Sequence, residues 1–504
     1  MKKSSSPSFV VHRRIYTDKC LSDFLDKKIN ICHKIYNSAV KHYKKVLFEL
    51  KNDVWFQYNL QMYLEYKNNP KLQKEYSIEI SACISAYKLN EYDIHEYMGI
   101  QKQKSFLNGI GINIVQKLGT ELYQAIKKVL FSTGNQIHFR KKGQTCSFED
   151  KRANSGIIYN LKTDSVKVMG KVIPLKPIRT NDIYLQEAMT HKIKYCRMIR
   201  MPFKSGYKYF LQLVMEGTPP KKLIPGTGKI GLDPGVSTVS FYGDKITGFE
   251  VLANGIESYD KKIKTASIKY ERRRRFNNPD NYKPDGTVRP DTDTFHKTWK
   301  HTKGMFQALM ELKDAYRKKS AYIKQAHGKL SNLIVSSCNE IIKEPMDYNV
   351  LARKAKETSR QMKKSSIKTA TGIKNIHKYK RRKRFGCSIG RRSPGLFIRI
   401  LTDKMNRYGG CVMDVNIHKY RASQYDHIIR KAVKIPLSCR VKEIGGYKVQ
   451  RDLYSAFLLH NAADAETIDF DSCDKGFPDF LKKQEIVINT VKIRGDITNN
   501  FGLV

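Results

Sequence analysis

"KIGLDPGVSTVSFYG", Lys229–Gly243, ends an apolar run on an aspartate, turns at once through Pro-Gly, and resumes with alternating apolar positions from Val236 to Tyr242. The pattern predicts two strands joined by a tight turn, with Asp233 at the tip of the first. Aspartate is an ordinary turn residue, so Asp233 alone needs no further explanation. The charge of the surrounding chain gives it one. The 504 residues carry 94 Lys and Arg against 47 Asp and Glu, a formal net charge of +47. Self-repulsion on that scale opposes a compact state unless a polyanion neutralises it, and nucleic acid is the default polyanion. The basic residues are spread along the whole sequence rather than gathered beside an apolar helix, which argues against a membrane-surface anchor. No apolar run is long enough to span a bilayer. The opening "MKKSSSPSFVVHRRIY" lacks an apolar core segment after its lysines, so no signal peptide is expected.

Length alone allows two to four domains. Immediately before the hairpin, "GTPPKKLIPGTG" (217–228) is rich in Pro and Gly and reads as a linker. Upstream, "SFVVHRRIYT" (8–17) reads as a strand and the chain from Asp18 to Phe131 as helical. Val115, Leu118, Leu122, Ala125 and Val129, for example, share one helix face. From 135 to 216 the pattern changes to short strands with Gly turns. Downstream, a very basic stretch (260–330) has helical spacing on both sides of the loop "NNPDNYKPDGTVRPDTDT", and a second basic segment covers 353–393. The expected order is a helical module inserted in a β module, then an α/β module starting at Lys229. The ten cysteines form no CxxC pair, so they write neither a disulfide framework nor a zinc knuckle. They read as reduced, packed thiols of an intracellular protein.

Two further acidic positions belong with Asp233. "EIIKE" reads as a short strand ending at Glu344, with Pro345 stopping the ladder; in "VQRDLYSAFLLHNAA", Asp452 stands at the start of a helix. Singly, the first is an ordinary surface glutamate and the second an ordinary N-cap. Together, carboxylates at two strand ends and a helix start converge readily in an α/β fold. Three carboxylates meeting without a basic partner repel one another, which is tolerable if they hold cations. Hard oxygen ligands select Mg²⁺ or Mn²⁺. Two such ions about 3.5–4 Å apart clamp the attacking and leaving oxygens of a phosphodiester.

"GLDPGVSTVSFYG", "IIKEPMDYNVLARKAK" and "VQRDLYSAFLL" resemble the three RuvC motifs of the TnpB family, RNA-guided nucleases encoded by insertion sequences, and of the related compact type V CRISPR effectors. The likeness extends to "IYNSAVKHYKK" (35–45), "NPDNYKPDGTV" (278–288) and "RASQYDH" (421–427), in the same order along nearly the whole chain. It implies that Asp233, Glu344 and Asp452 are the catalytic, metal-binding carboxylates of an RNA-guided DNA endonuclease. The implied fold is a multidomain assembly of α/β, α and β modules. Its parts are a split wedge-type β barrel (1–17 and 133–218), a helical recognition domain (18–132) and a linker (219–228). An RNase H-like (RuvC) nuclease domain (229–408 and 448–470), a degenerate zinc-ribbon-like insertion that binds target nucleic acid (409–447) and a C-terminal tail (471–504) follow. The implied cofactors are Mg²⁺ (or Mn²⁺) and a guide RNA. The implied partners are that RNA and double-stranded target DNA with a short flanking motif, in a prokaryotic cytoplasm, beside the nucleoid.

One departure is clear. Where many TnpB-like proteins carry a four-cysteine zinc ribbon, this interval offers Cys411, His418, His427 and Cys439 at wide spacings. Closing three loops on one ion is entropically costly. No zinc is therefore expected, and a metal-free hairpin is expected around Gly445-Gly446. The basic runs "ERRRRF", with Arg272, Arg273, Arg274 and Arg275, and "KYKRRKRF", with Lys380, Arg381, Arg382, Lys383 and Arg384, read as phosphate contacts beside a nuclease centre. A guide–target duplex of about 20 base pairs presents on the order of 40 phosphates, a load comparable with the excess charge. Two other readings stay open: a guide-directed DNA-binding regulator that does not cut, and an unguided nuclease or transposase accessory protein.

Overall fold

In the computed structural model, the described residues are 6–502 except 105–106, 132–133, 142, 153–154, 293, 353–359, 370–371, 380–384, 437–438 and 496–500. The chain forms two units, Met1–Pro220 and Lys221–Val504. They meet in sequence inside the Pro- and Gly-rich linker.

The first unit opens with strand β1 (Ser8–Arg14) and continues through helices α1 (Lys19–Asn52), α2 (Val54–Glu65), α3 (Pro70–Ala86), α4 (Glu91–Gln103) and α5 (Ile112–Phe131). Strands β2 (Ser147–Glu149), β3 (Ile157–Asn160), β4 (Ser165–Val168) and β5 (Lys171–Pro174), the short helix α6 (Ile183–Ala188) and strands β6 (Ile193–Phe203) and β7 (Gly206–Glu216) complete it. Asp18 caps α1 by accepting the Leu21 N–H at 2.7 Å, and the helix then buries Leu25, Ile29, Cys32, Ile35, Ala39, Val40 and Tyr43 on one face. That face packs into a core shared with α4, α5 and the strands. Asp26 of α1 also receives hydrogen bonds from Arg200 (2.7 Å) and Tyr209 (2.6 Å), which fastens the helix to β6 and β7.

The expected β barrel is corrected here. Among the described residues the strands form an open four-stranded sheet, β1-β7-β6-β2, and a separate three-stranded meander, β3-β4-β5. An isolated bridge, Ile15 with Leu175 beyond the end of β1, links them, and β3 packs against β6. The three-residue β2 is too short an edge to carry a continuous ladder onward, so the sheet does not close.

The second unit begins with β8 (Lys229–Pro234), β9 (Thr238–Gly243) and β10 (Thr247–Val251), followed by helices α7 (Ile256–Asn277) and α8 (Lys303–Val335) and strand β11 (Glu340–Lys343). After α9 (Tyr348–Ala352) come a ribbon of β12 (Arg360–Thr369) and β13 (Gly372–Tyr379), helices α10 (Gly386–Arg392) and α11 (Pro394–Arg407), β14 (Cys411–Asp414) and α12 (Ile417–Tyr420). The remainder is β15 (Tyr425–Asp426), β16 (Lys431–Ala432), β17 (Val441–Ile444), β18 (Tyr447–Gln450), α13 (Arg451–His460) and α14 (Phe470–Arg494). One mixed five-stranded sheet organises these elements in the order β10-β9-β8-β11-β14. β8, β9 and β10 run antiparallel as a meander, and β11 and β14 then add in parallel on the other side of β8. The hairpin expected around Asp233 is present, its turn tied by the Gly235 N–H to the Thr238 carbonyl at 2.9 Å. The glycine hairpin is present as well: Gly445 and Gly446, with φ of 54° and 82°, link β17 to β18. Two consecutive left-handed residues suit a two-residue turn between twisted strands.

α13 covers the sheet, packing on β8, β9 and β11. Leu453, Tyr454, Ala456, Phe457, Leu458 and Leu459 are all buried there. No helix among the described residues is long and apolar enough to cross a membrane.

Candidate active site

Three elements bring the predicted carboxylates together. Asp233 lies at the end of β8, opposite Ser240 of β9. β11 runs parallel to β8 with Lys343 level with Leu232, so the next step of the same register sets Glu344 beside Asp233. Successive strand residues face opposite sides of a sheet. Lys343 thus pairs with Asp414 of β14 rather than with its neighbour Glu344. Asp452 stands in the first turn of α13, above β8. It does not cap that helix. The cap is Gln450, whose side chain accepts the Leu453 N–H at 2.6 Å, and the Asp452 carboxylate is left for other partners.

Those partners are arginines. Asp452 Oδ1 accepts from Arg451 Nε at 3.2 Å and Nη2 at 3.0 Å, and Oδ2 lies 3.6 Å from Arg440 Nη1. The expectation that the carboxylates meet without a basic partner is corrected by this arrangement. Arg440 precedes β17 and Arg451 follows β18, so the two ends of the glycine hairpin bring both to Asp452.

Of the three acids, Asp233 is the one whose carboxyl is raised by both others. Asp233 is held well above the usual carboxylate range, first by burial, then by the charges of Asp452 and Glu344, with Arg451 and Arg440 pulling the other way. Burial also raises Glu344, opposed by a hydrogen bond from the Ala422 backbone N–H. Tyr348 donates to the Gly235 carbonyl at 3.2 Å; burial and then the charge of Asp233 push its phenol up. Each of the three carboxylates keeps a partly exposed edge. Among the described residues no three His, Cys, Asp or Glu side chains stand close enough to enclose one metal ion, and Asp452 is turned to its arginines instead. The donor set itself, all hard oxygens with one carboxyl strained by two like charges, fits a hard divalent cation.

Sequence reading missed Arg440, Arg451, Tyr348 and the Ala422 amide. Arg451, Tyr348 and Ala422 sit inside the quoted motifs, so adjacency to the acids was the available clue. Nothing local marks Arg440.

The basic runs divide. Lys380, Arg381, Arg382, Lys383 and Arg384 lie outside the described residues. Of the other run, three arginines hold the loop between α7 and α8. Arg273 donates to the Gly304 carbonyl, Arg275 to that of Gly286 at 3.2 Å, and Arg274 pairs with Glu271 at 3.1 Å while lying 3.9 Å over the Trp299 ring. Buried Asn278 and Asn281 reinforce the loop by bonding the Lys300 and Thr298 carbonyls at 3.2 and 2.7 Å. The "NPDNYKPDGTV" segment therefore has a structural reason for its polar residues.

The four candidate zinc ligands lie on separate elements. Cys411 is on β14, His418 on α12, and Cys439 is exposed ahead of β17. His427 is 1% exposed, with Nδ1 2.7 Å from the Tyr454 hydroxyl and its ring 4.7 Å from that of Phe477. It is a packed core histidine. Elemental analysis is expected to find no stoichiometric zinc, and Cys439→Ser should melt with the parent protein. One zinc per chain, lost in that variant, would reverse this assignment.

No protein-family model and no curated protein matches the chain. Among solved structures it is similar to one described as the cryo-EM structure of a Cas12f1–sgRNA–target DNA complex. The identity is 10% over 90% of this chain and 99% of that one, with a TM-score of 0.40. A second, described as a CRISPR-Cas12f ternary complex, gives 11% identity over 91% of this chain and 100% of that one, with a TM-score of 0.25. Likeness this distant assigns no residue of this chain a role.

Proposed function

We propose that the protein is an RNA-guided DNA endonuclease whose RNase H-like domain is the second unit and whose catalytic carboxylates are Asp233, Glu344 and Asp452. The observation that carries the reading is the raised Asp233 carboxyl, wedged between two other acids at the end of the mixed sheet. Burying like charges together is costly unless the site serves to hold cations. The three carboxylates would hold Mg²⁺ or Mn²⁺, which supply charge neutralisation at the scissile phosphate and a nucleophile at neutral pH. Arg440, with a quarter of its side chain exposed beside Asp452, would meet a non-bridging phosphate oxygen, whereas Arg451 is mostly buried and held by Asp452 and by the Cys439 carbonyl at 3.3 Å. Tyr348 fixes the turn after Asp233 through the Gly235 carbonyl. The guide, the flanking duplex motif and the prokaryotic setting rest on the motif resemblance to the TnpB family and on the +47 charge.

A second reading, a guide-directed DNA binder that does not cut, is favoured by one observation: Asp452 already has two guanidinium partners. One experiment separates the readings. The purified protein should carry a structured RNA with a variable end, and changing that end should change which DNA is cut in Mg²⁺. Selective cutting by RNase-treated protein with no RNA added back would overturn the guided reading. Guided binding without any cutting would favour the regulator.

A further inference from the structure

The one arginine of the 272–275 run without an ion pair or hydrogen bond among the described residues is Arg272, and it is exposed. It lies on α7 between Ile268 and Phe276, at successive four-residue steps. The three side chains therefore form one ridge with a rise of about 6 Å per step. Phe276 is 86% exposed and Ile268 is 44% exposed. Single exposed apolar residues are common on protein surfaces. This one differs in its setting. Ile268, Glu271, Arg272, Arg275, Phe276 and Pro279 line one shallow concavity, which continues along the helix over Thr265 and Lys269. The only acid in that lining, Glu271, is spent on Arg274 and on the Tyr282 hydroxyl at 3.3 Å. The patch thus presents an uncommitted cation beside an open aromatic face. Its backbone is fixed by the bracing loop, so little order has to be gained on binding.

We propose that this ridge of α7 is a docking surface for an unpaired DNA strand, with a base stacked on Phe276 and the adjoining phosphate on Arg272. The inference rests on the nucleic-acid reading above and deepens it by naming a stacking residue. Charge complementarity selects a polyanion. The bare ring selects one with an open π-face, which a paired duplex hides within its stack. The strand that a DNA nuclease must hold unpaired is its substrate, and the one carboxylate of the patch that could accept from a ribose 2′-OH, Glu271, is already bonded to Arg274 and Tyr282.

The test uses Phe276→Trp in the full chain, with the emission of the parent protein subtracted to remove Trp55 and Trp299. A short mixed-sequence deoxyoligonucleotide should quench the new indole. A base-free strand of equal length should bind by charge and leave the emission unchanged. Phe276→Ala should weaken oligonucleotide binding roughly five- to hundredfold with its salt slope retained, and Arg272→Ala should lower that slope by about 0.7. Binding of the oligonucleotide, seen by anisotropy, without any quenching would overturn the surface while sparing the nucleic-acid reading. Absence of all binding would overturn both. Quenching at lower concentration by a ribo-oligomer, or by the base-free strand, would overturn the assignment to unpaired DNA.

Discussion

Asp233→Ala, Glu344→Ala and Asp452→Ala will each remove Mg²⁺-dependent DNA cleavage, by on the order of 10⁴-fold, while leaving DNA binding within a few-fold of the parent protein. Each change deletes an oxygen donor of the cluster; Asp452→Ala also releases Arg440 and Arg451, which leaves the positive charge in place. Asp233 is the most informative of the three because its carboxyl is raised by burial and by both neighbouring acids. Full cleavage by any one variant would end the assignment of that residue.

The same strain gives a stability readout that needs no cleavage. The folded chain holds the Asp233 proton more tightly than the unfolded chain does. In metal-free protein, stability should therefore fall as pH rises from the ordinary carboxylate range through the raised value. Asp233→Asn carries no proton to lose and should flatten that slope. A divalent cation bound only by the folded state adds stability by mass action, about 2.7 kcal/mol at a hundred times its dissociation constant. Mg²⁺ should accordingly raise the melting temperature of the parent protein near neutral pH and fail to do so for Asp233→Asn. Equal Mg²⁺ shifts in both proteins would show that the ion binds elsewhere.

What the sequence disclosed was local. Asp-Pro-Gly between apolar runs, "EIIKE" before a proline and the paired glycines at 445–446 each fix their own backbone, and each formed the predicted element. The helical spacing over 19–131 worked for the same reason, since one apolar face is enough to bury a helix. The readings that the structure corrects turn on distant partners. Barrel closure depends on pairings such as Val11 with Leu213, which no window of sequence contains. The cap of α13 went to Gln450 rather than Asp452, two residues apart and both competent. That exchange left Asp452 available to Arg440. The arginine run looked uniform because the carbonyls that occupy Arg273 and Arg275 belong to Gly304 and Gly286, on the far side of a loop.

Gly231→Ala should disrupt the second unit and, in any molecules that still fold, separate the carboxylates. Gly231 lies in the middle of β8 beneath α13. A Cβ there would sit 2.0 Å from the Ala456 carbonyl oxygen, 2.3 Å from the His460 nitrogen and 2.9 Å from the Leu459 carbonyl carbon. All three are helix backbone, so no side-chain rotamer relieves the clash. α13 has to lift off the sheet. Overpacking by one methyl ordinarily costs about 1–3 kcal/mol, and here the cost should reach or exceed ~3 kcal/mol because a helix buried along most of its length must move. Gly390 in α10 supplies the control. Nothing lies within 4 Å of its Cβ position, and alanine there should be neutral or stabilising by up to about 1 kcal/mol. Urea melts of the two variants should therefore diverge sharply. The lifted helix carries Asp452 away from Asp233, so residual folded Gly231→Ala should also lose the pH slope that depends on the neighbouring acid. A melt and a cleavage rate equal to those of the parent protein would show that α13 does not press on β8, and with it would go the proposal that Asp233, Glu344 and Asp452 act as one site.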